Sequence, residues 1–387
     1  MRSLIQPARP SVQRLRPSLI RTLANQAIGR GDVIPLWFGE PDQSTPSFIR
    51  EAAKSALDEG NTFYQPNAGI PLLRSTIADY MNNLYGTRFG IDNIIVTGSG
   101  MLGIMLAGQC VVGQGDTIVT PAPTWPNLPA VQDILGANVI RVPLELRANR
   151  WHLDLNRLFA ACDKNTRALL INSPNNPTGW TLNDADQQAI LDFCRERGLW
   201  LIADEVYNRI IYDRPYASTF ADKITPEDRA LIVNSFSKTW AMTGWRLGWI
   251  TAPADLLPTF EMLVEYSHAC TLAATQLAGV VALREGEPFV SASLARYKAS
   301  LDLLTDQFAR WPRVYLPQPD AAFYAFFSVD GMTDSVRFAE HILAQAQVGL
   351  APGLAFGPEG EGYLRLCYAV EPDLLARALA RMGPLLT

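Results

Sequence analysis

The sequence predicts an α/β protein: a large unit on a mostly parallel, seven-stranded sheet covered by helices, with a smaller α+β unit built from both chain ends. Three observations carry that expectation. Short apolar runs recur at 94–97, 117–120, 139–142, 168–171, 200–203, 231–233 and 248–250. Helix-length segments lie between these runs, the pattern of crossovers joining parallel strands that are buried on both faces. After Pro253 the pattern changes to helix, strand, helix, strand, helix. With 387 residues the chain has room for two or three domains. The expected division is 46–287 for the large unit, with 1–45 and 288–387 forming the small one.

The elements follow in order. The first thirty residues carry Arg2, Arg9, Arg14, Arg16, Arg21 and Arg30 and no acid before Asp32. They read as an exposed arm, then a short helix around 18–28; the alternative is an organelle transit peptide. Residues 34–38 are a short apolar run closed by Gly39-Glu40-Pro41-Asp42. Thr45-Pro46 reads as N-cap and first helical position, and Phe48, Ile49, Ala52, Ala56 and Leu57 give that helix one apolar face up to Gly60. A second amphipathic helix carries Leu73, Ile77, Tyr80, Met81 and Leu84 and stops at Gly86. Beyond the sheet, helices are expected near 288–310, 335–345 and 371–382, with strands at 322–327 and 363–366.

Composition narrows the chemistry. A net charge of −5 gives no reason to expect nucleic acid or a membrane as partner. No apolar run reaches about 18 residues, so no transmembrane helix is expected. The five Cys stand without CxxC pairs, which favours a reducing compartment, here the cytoplasm. The three His are far apart, so a His-rich metal centre is not expected.

Ligands on parallel sheets sit at the carboxyl ends of strands, so the residues following each run are the candidate site. Gly98-Ser99-Gly100-Met101 precedes a helix and leaves backbone amides for an anion, or is a plain turn. Trp125 offers an indole to a planar ring, or packs in its loop. Asn172-Ser173-Pro174-Asn175-Asn176-Pro177-Thr178-Gly179 is a rigid loop that fixes Asn176. Asp204, ending an apolar strand, is a buried carboxylate in need of a cation: a protonated ring nitrogen, or a structural ion pair. Tyr207 can reach the same ligand. Arg365, flanked by apolar residues, asks for a carboxylate from a substrate or from the protein.

Lys238 is the residue around which these group. It lies between two apolar runs, in Asn234-Ser235-Phe236-Ser237-Lys238, ahead of Thr243-Gly244-Trp245-Arg246. A buried Lys tends to lose its proton and then attacks carbonyls to form a Schiff base. Hydroxyls and Arg246 beside it suit a phosphate. An aldehyde carrying a phosphate is pyridoxal phosphate. The plain alternative is a Lys that snorkels to the sheet edge.

Taken together the motifs Asn176-Pro177-Thr178-Gly179, Asp204-Glu205-x-Tyr207, Ser235-Phe236-Ser237-Lys238 and Gly244-Trp245-Arg246 resemble those of fold-type I, pyridoxal-phosphate-dependent aminotransferases of the class I/II group. The resemblance runs from Gly39 to Arg365 and implies a fold, a cofactor and roles. By similarity Lys238 forms the Schiff base and moves the substrate Cα proton in a ping-pong reaction between an L-amino acid and a 2-oxo acid. Asp204 matches the partner of the pyridine nitrogen; Tyr207 and Asn176 match donors to the ring oxygen; Trp125 matches the stacking ring. Ser99, Gly100, Met101, Ser235 and Arg246 match the phosphate cradle. Arg365, Asn176 and Gly39 match the clamp on the α-carboxylate. Tyr64, in Tyr64-Gln65-Pro66-Asn67-Ala68-Gly69, matches a residue that reaches the neighbouring subunit's phosphate, which implies a homodimer.

Two departures stand out. Ala321 replaces the family's usual Gly before Ala322-Phe323-Tyr324. Met101 stands where some aspartate-specific relatives carry Lys, and with Trp37 and Phe38 it implies an apolar pocket and a neutral donor. Two rival readings share the motifs: a β-eliminating lyase on the same site, and a non-catalytic cofactor sensor of a regulator. The sensor is disfavoured because only about thirty residues precede the fold, too few for a helix-turn-helix module.

Overall fold

The computed structural model describes residues 8–387; Arg2 of the basic stretch lies outside the described residues. The main sheet has seven strands: β1 (Ile94–Thr97), β2 (Thr117–Ala122), β3 (Asn138–Pro143), β4 (Thr166–Asn172), β5 (Trp200–Asp204), β6 (Ala230–Ser235) and β7 (Gly248–Thr251). Their order is β1-β7-β6-β5-β4-β2-β3. β7 runs antiparallel to both its neighbours, β1 and β6, while β3-β2-β4-β5-β6 are parallel. Every expected strand is present.

The apolar runs are continuous because both faces are covered. Side chains alternate between the faces with period two. Val119, Leu169, Ile171, Leu201, Ala203 and Ile232 enter one core. Ile118, Ala168, Leu170, Ile202, Leu231 and Val233 enter the other. The helix Gly100–Val111 lies over the second core, and Gly103 lets it approach: a Cβ there would sit 2.9 Å from Val233 Cγ1. That approach fixes the helix N-terminus at the end of β1.

The smaller domain carries an antiparallel sheet of Val314–Tyr315, Tyr324–Val329, Tyr363–Cys367 and Ala351–Pro352, in that order. The N-terminal run joins it by backbone pairing. Ile34–Pro35 pairs in parallel with Val348–Gly349, the Leu36 amide donates to Gly349 O at 2.8 Å, and the Cys367 amide donates to Leu36 O at 3.0 Å. This pairing carries Phe38 and Gly39 to the side of Arg365 and Lys238.

Some local expectations are corrected. Thr45 does not cap the helix Ser47–Asp58; Pro46 holds the N-cap position. The Thr45 hydroxyl instead donates to Ala241 O (2.6 Å) and accepts from Trp245 Nε1 (2.8 Å), tying this segment to the turn before Arg246. Leu57 is 48% exposed and lies off the apolar face, whose buried members are Ile49 and Ala56. The helix near 18–28 is Leu19–Asn25, with Ser18 accepting from the Arg21 amide at 3.3 Å. Ala321 is fully buried without a positive φ, and Ala322 beside it takes φ +60.

Candidate active site

The carboxyl ends of the parallel strands meet the N-terminal run and the smaller domain around one cavity of about 360 Å³. Gly39, Gly100, Met101, Trp125, Asn176, Asp204, Tyr207, Ser235, Lys238, Arg246 and Arg365 all line it, although they are scattered over more than three hundred residues of chain.

Lys238 sits in the short helix Phe236–Thr239 that follows β6, and its Nζ donates to Gly39 O at 2.6 Å. It is partly buried and faces the cavity rather than the sheet edge. Desolvation pulls its amine down to about 8, so an appreciable fraction is neutral near physiological pH. A neutral lysine is a competent nucleophile for an aldehyde.

Asp204 ends β5 and is 2% exposed. Among the described residues it forms no ion pair, and its carboxylate accepts only from the Val206 amide, at 3.3 Å. Burial pushes its carboxyl up to about 7, against a small opposing effect from that amide and Lys238. The structural ion pair considered for it is therefore not there, and a protonated ring nitrogen would supply what the site lacks.

Arg365 is 2% exposed and has no carboxylate partner among the described residues. One arm donates to Asn176 Oδ1 at 2.9 Å and the other to the Trp37 carbonyl, while Nε is unpartnered. The rings of Tyr324 and Phe356 lie 4.6 and 4.9 Å from its Cζ. The fork is thus held by neutral acceptors and aromatic faces, with its charge uncompensated. This suits a small carboxylate arriving from the cavity.

One end of the cavity is built from small groups. Ser235 and Ser237 hydroxyls lie 2.9 Å apart, and Arg246 donates to Thr243 O at 2.5 Å. Beside them the helix Gly100–Val111 presents its N-terminus, where free amides favour an anion. A Cβ on Gly100 would fall 3.1 Å from that of Ser235, so a larger residue would crowd this cradle.

Several placements differ from the sequence reading. Ser99 does not line the cavity; its hydroxyl caps the helix by accepting from the Leu102 amide at 3.0 Å. Tyr64, whose expected role is on a neighbouring subunit, is 89% exposed and lies outside this chain's own cavity. Trp37 is core, packed against Gly349, and only its carbonyl touches the site; Phe38 does form a wall. Tyr207 lines the cavity with its hydroxyl 2.6 Å from that of Tyr324. Tyr324, together with Ser18, Ile20, Arg21, Asn127, Asn172 and Thr243, was missed. Tyr324 opens the strand that pairs with the one bearing Arg365, and a β-carbon on Gly39 would run into its hydroxyl, a placement set by tertiary packing.

An amine of lowered basicity, a buried unpaired carboxylate, an indole on the wall and a group of small polar residues beside a helix N-terminus fit pyridoxal phosphate, which Lys238, Asp204, Trp125 and the Ser235–Arg246 group would hold.

The comparisons agree with this chemistry. Residues 31–382 match the model of the family described as aminotransferase class I and II. The chain is 36% identical to an aspartate aminotransferase of Pyrococcus horikoshii, covering 95% of this chain and 94% of that one. It is 34% identical to aromatic-amino-acid aminotransferase 2 of Thermococcus litoralis, over 97% of each. The structure of Thermus thermophilus aspartate aminotransferase with maleate superposes with a TM-score of 0.92 at 30% identity, over 99% of this chain and 100% of that one.

Proposed function

The chain belongs to the class I and II aminotransferases, pyridoxal-phosphate enzymes, and from that premise we propose that it moves an amino group from a neutral L-amino acid, aromatic or aliphatic, to a 2-oxo acid in two half-reactions at this cavity. One observation carries the reading. A lysine amine of lowered basicity and a buried guanidinium without a carboxylate face the same space.

When bound, the cofactor supplies the aldehyde for Lys238 and a cationic ring that accepts the electron pair left on the substrate Cα. The chain's own groups do the rest. Arg365 grips the α-carboxylate, its fork set by Asn176 Oδ1 and the Trp37 carbonyl. Asp204 holds a proton on the ring nitrogen. The Lys238 amine would take the proton from the substrate Cα and deliver it to the cofactor carbon that carried the aldehyde, which leaves the amino group with the cofactor. The Gly39 carbonyl, 2.6 Å from Nζ, keeps that amine aimed.

The named relatives act on aspartate or on aromatic amino acids. Met101, Ile104, Ile20, Phe38 and Trp125 make this wall apolar and favour the neutral donor. An absorbance titration of the loaded protein with a panel of amino acids, without added 2-oxo acid, tests it. The expected result is conversion of bound cofactor to its amine form, with one equivalent of 2-oxo acid released, fastest with a neutral donor. Aspartate outrunning every neutral donor overturns the donor assignment; ammonia released over many turnovers points to the lyase.

The working unit proposed is a homodimer. Phe63 and Tyr64 are 80% and 89% exposed, and the Gln65 amide meets Cys270 Sγ at 3.3 Å, beside Leu272, itself 57% exposed. These two loops present apolar surface that a second copy would cover, with Tyr64 on the partner's phosphate. Sedimentation is expected to give a dimer, and Tyr64→Phe to speed cofactor loss roughly 10-fold, the effect of one hydrogen bond to a charged group. A rate no faster than that of a distant surface variant would remove Tyr64 from the site.

A further inference from the structure

Two phenols meet inside the cavity. The hydroxyls of Tyr207 and Tyr324 lie 2.6 Å apart, and both residues line the wall. Tyr207 follows β5, while Tyr324 opens the strand Tyr324–Val329 of the smaller domain. Both side chains are buried, and burial raises both phenols above their usual range, so each keeps its single proton at working pH. The Tyr207 ring is fixed edge-on against Phe323 and Tyr324, whose ring centres lie 5.5 and 5.6 Å away. Tyr324 has no task in the reaction as described above. On its other side its hydroxyl abuts the backbone of Gly39, where a β-carbon would collide with it. Among the described residues its one hydrogen-bond partner is Tyr207.

We infer that Tyr324 is a positioning residue, which donates its proton to the Tyr207 oxygen and thereby commits the Tyr207 proton to the cofactor. This rests on the reading, implied by the family resemblance, that Tyr207 donates to the ring oxygen of bound pyridoxal phosphate. A proton count gives the direction. A phenol carries one O–H and two acceptor lone pairs. In the empty cavity either hydroxyl can donate to the other. Once Tyr207 commits its proton to the ring oxygen, its own oxygen is left as an acceptor, and the contact with Tyr324 holds only if Tyr324 donates. Packing on Phe323 fixes where the Tyr207 ring lies, and Tyr324 fixes where its proton points. A hydroxyl that accepts a hydrogen bond is also a stronger donor, by about 10–30%. Arg365 adds to the effect. Its Cζ lies 4.6 Å from the centre of the Tyr324 ring, and its positive charge eases negative charge onto that phenol oxygen, which makes Tyr324 the better donor. A stronger donor at the ring oxygen favours its anionic form, and so lowers the pH at which the bound cofactor gives up its proton.

The test is a pH titration of the absorbance of the cofactor-loaded protein in four forms: unaltered, Tyr207→Phe, Tyr324→Phe and the double variant. Tyr207→Phe is expected to raise the midpoint by about one to two pH units, the effect of a hydrogen bond to a charged group. Tyr324→Phe is expected to raise it by about 0.3 unit, the share that one supporting bond adds. In the Tyr207→Phe background it should add nothing. Tyr324→3-fluorotyrosine keeps the shape of the side chain and makes a stronger donor, so here the midpoint should fall. An equal rise from Tyr324→Phe in both backgrounds would mean that this hydroxyl does not act through Tyr207, and would overturn the proposal. So would a midpoint that neither Tyr324 variant moves while Tyr207 is present. Failure of Tyr207→Phe itself to move the midpoint removes the parent reading of Tyr207 instead.

Discussion

Lys238→Ala is expected to lower amino-group transfer by about 10⁴-fold or more, because it removes both the nucleophile for the cofactor aldehyde and the base for the Cα proton. The protein should still fold and still bind the cofactor without a covalent bond, since Asp204, Trp125, Ser235 and Arg246 come from other elements. Borohydride treatment of the unaltered protein should fix the cofactor to the chain, and treatment of the variant should not. Covalent capture should rise with pH and level off above about 8, the value to which desolvation brings this amine, rather than near the ordinary lysine value. The sign follows from the chemistry: only the neutral amine attacks. The same shift has a stability consequence. Because the folded form gives up this proton more easily than the unfolded form, Lys238 makes the unliganded protein more stable as pH rises from about 8 to 10.5. The variant should lack that contribution. A variant that keeps transfer within tenfold of the unaltered protein would displace Lys238 from the centre of the mechanism.

The reasons why some parts of this molecule were legible in sequence and others were not are physical. Strands buried on both faces leave uninterrupted apolar runs, so β1 to β7 could be marked, and residues just past their ends fell on the cavity. Chain reversal at those ends also forces Pro, Gly and Asn into fixed places, which made Asn176 and the turn before Arg246 visible. Residues that reach the site across the fold leave no such trace. Arg21 and Ile20 lie on a seven-residue helix that packs against Ala351–Pro352 and Gly353–Phe356, more than three hundred residues away. Trp37 and Phe38 are neighbours in one apolar run, and only tertiary packing decides that the first enters the core and the second faces the cavity. Thr45 has the residue type of a helix cap, yet its hydroxyl is better satisfied by Ala241 and Trp245, a long-range choice that propensity cannot see.

Asp204→Asn should separate catalysis from stability. The substitution keeps size and removes the charge that would hold the ring nitrogen's proton. Loss of one partner from such a buried pair costs several kcal/mol, so transfer is expected to fall roughly 10²–10³-fold. In the cofactor-free protein the effect should have the opposite sign. The carboxyl is fully enclosed, meets one amide at 3.3 Å, and is raised to about 7 by burial. A carboxyl whose folded value lies above its unfolded value binds its proton more tightly when folded. It therefore costs the folded state stability as pH climbs from about 4 to 7. Removing it should leave the unloaded protein more stable at pH 8, by roughly 1–3 kcal/mol, the penalty of a buried polar group without full partners. That gain should shrink towards pH 4. Cofactor binding should reverse the order, because the unaltered protein then gains its missing cation and the variant does not. Denaturation of both proteins, loaded and unloaded, at pH 5 and pH 8 gives the four comparisons. If the Asn variant were less stable than the unaltered protein at pH 8 without cofactor, Asp204 would be a structural group paired within the fold. Its strain would then not be what prepares the site for a ring cation.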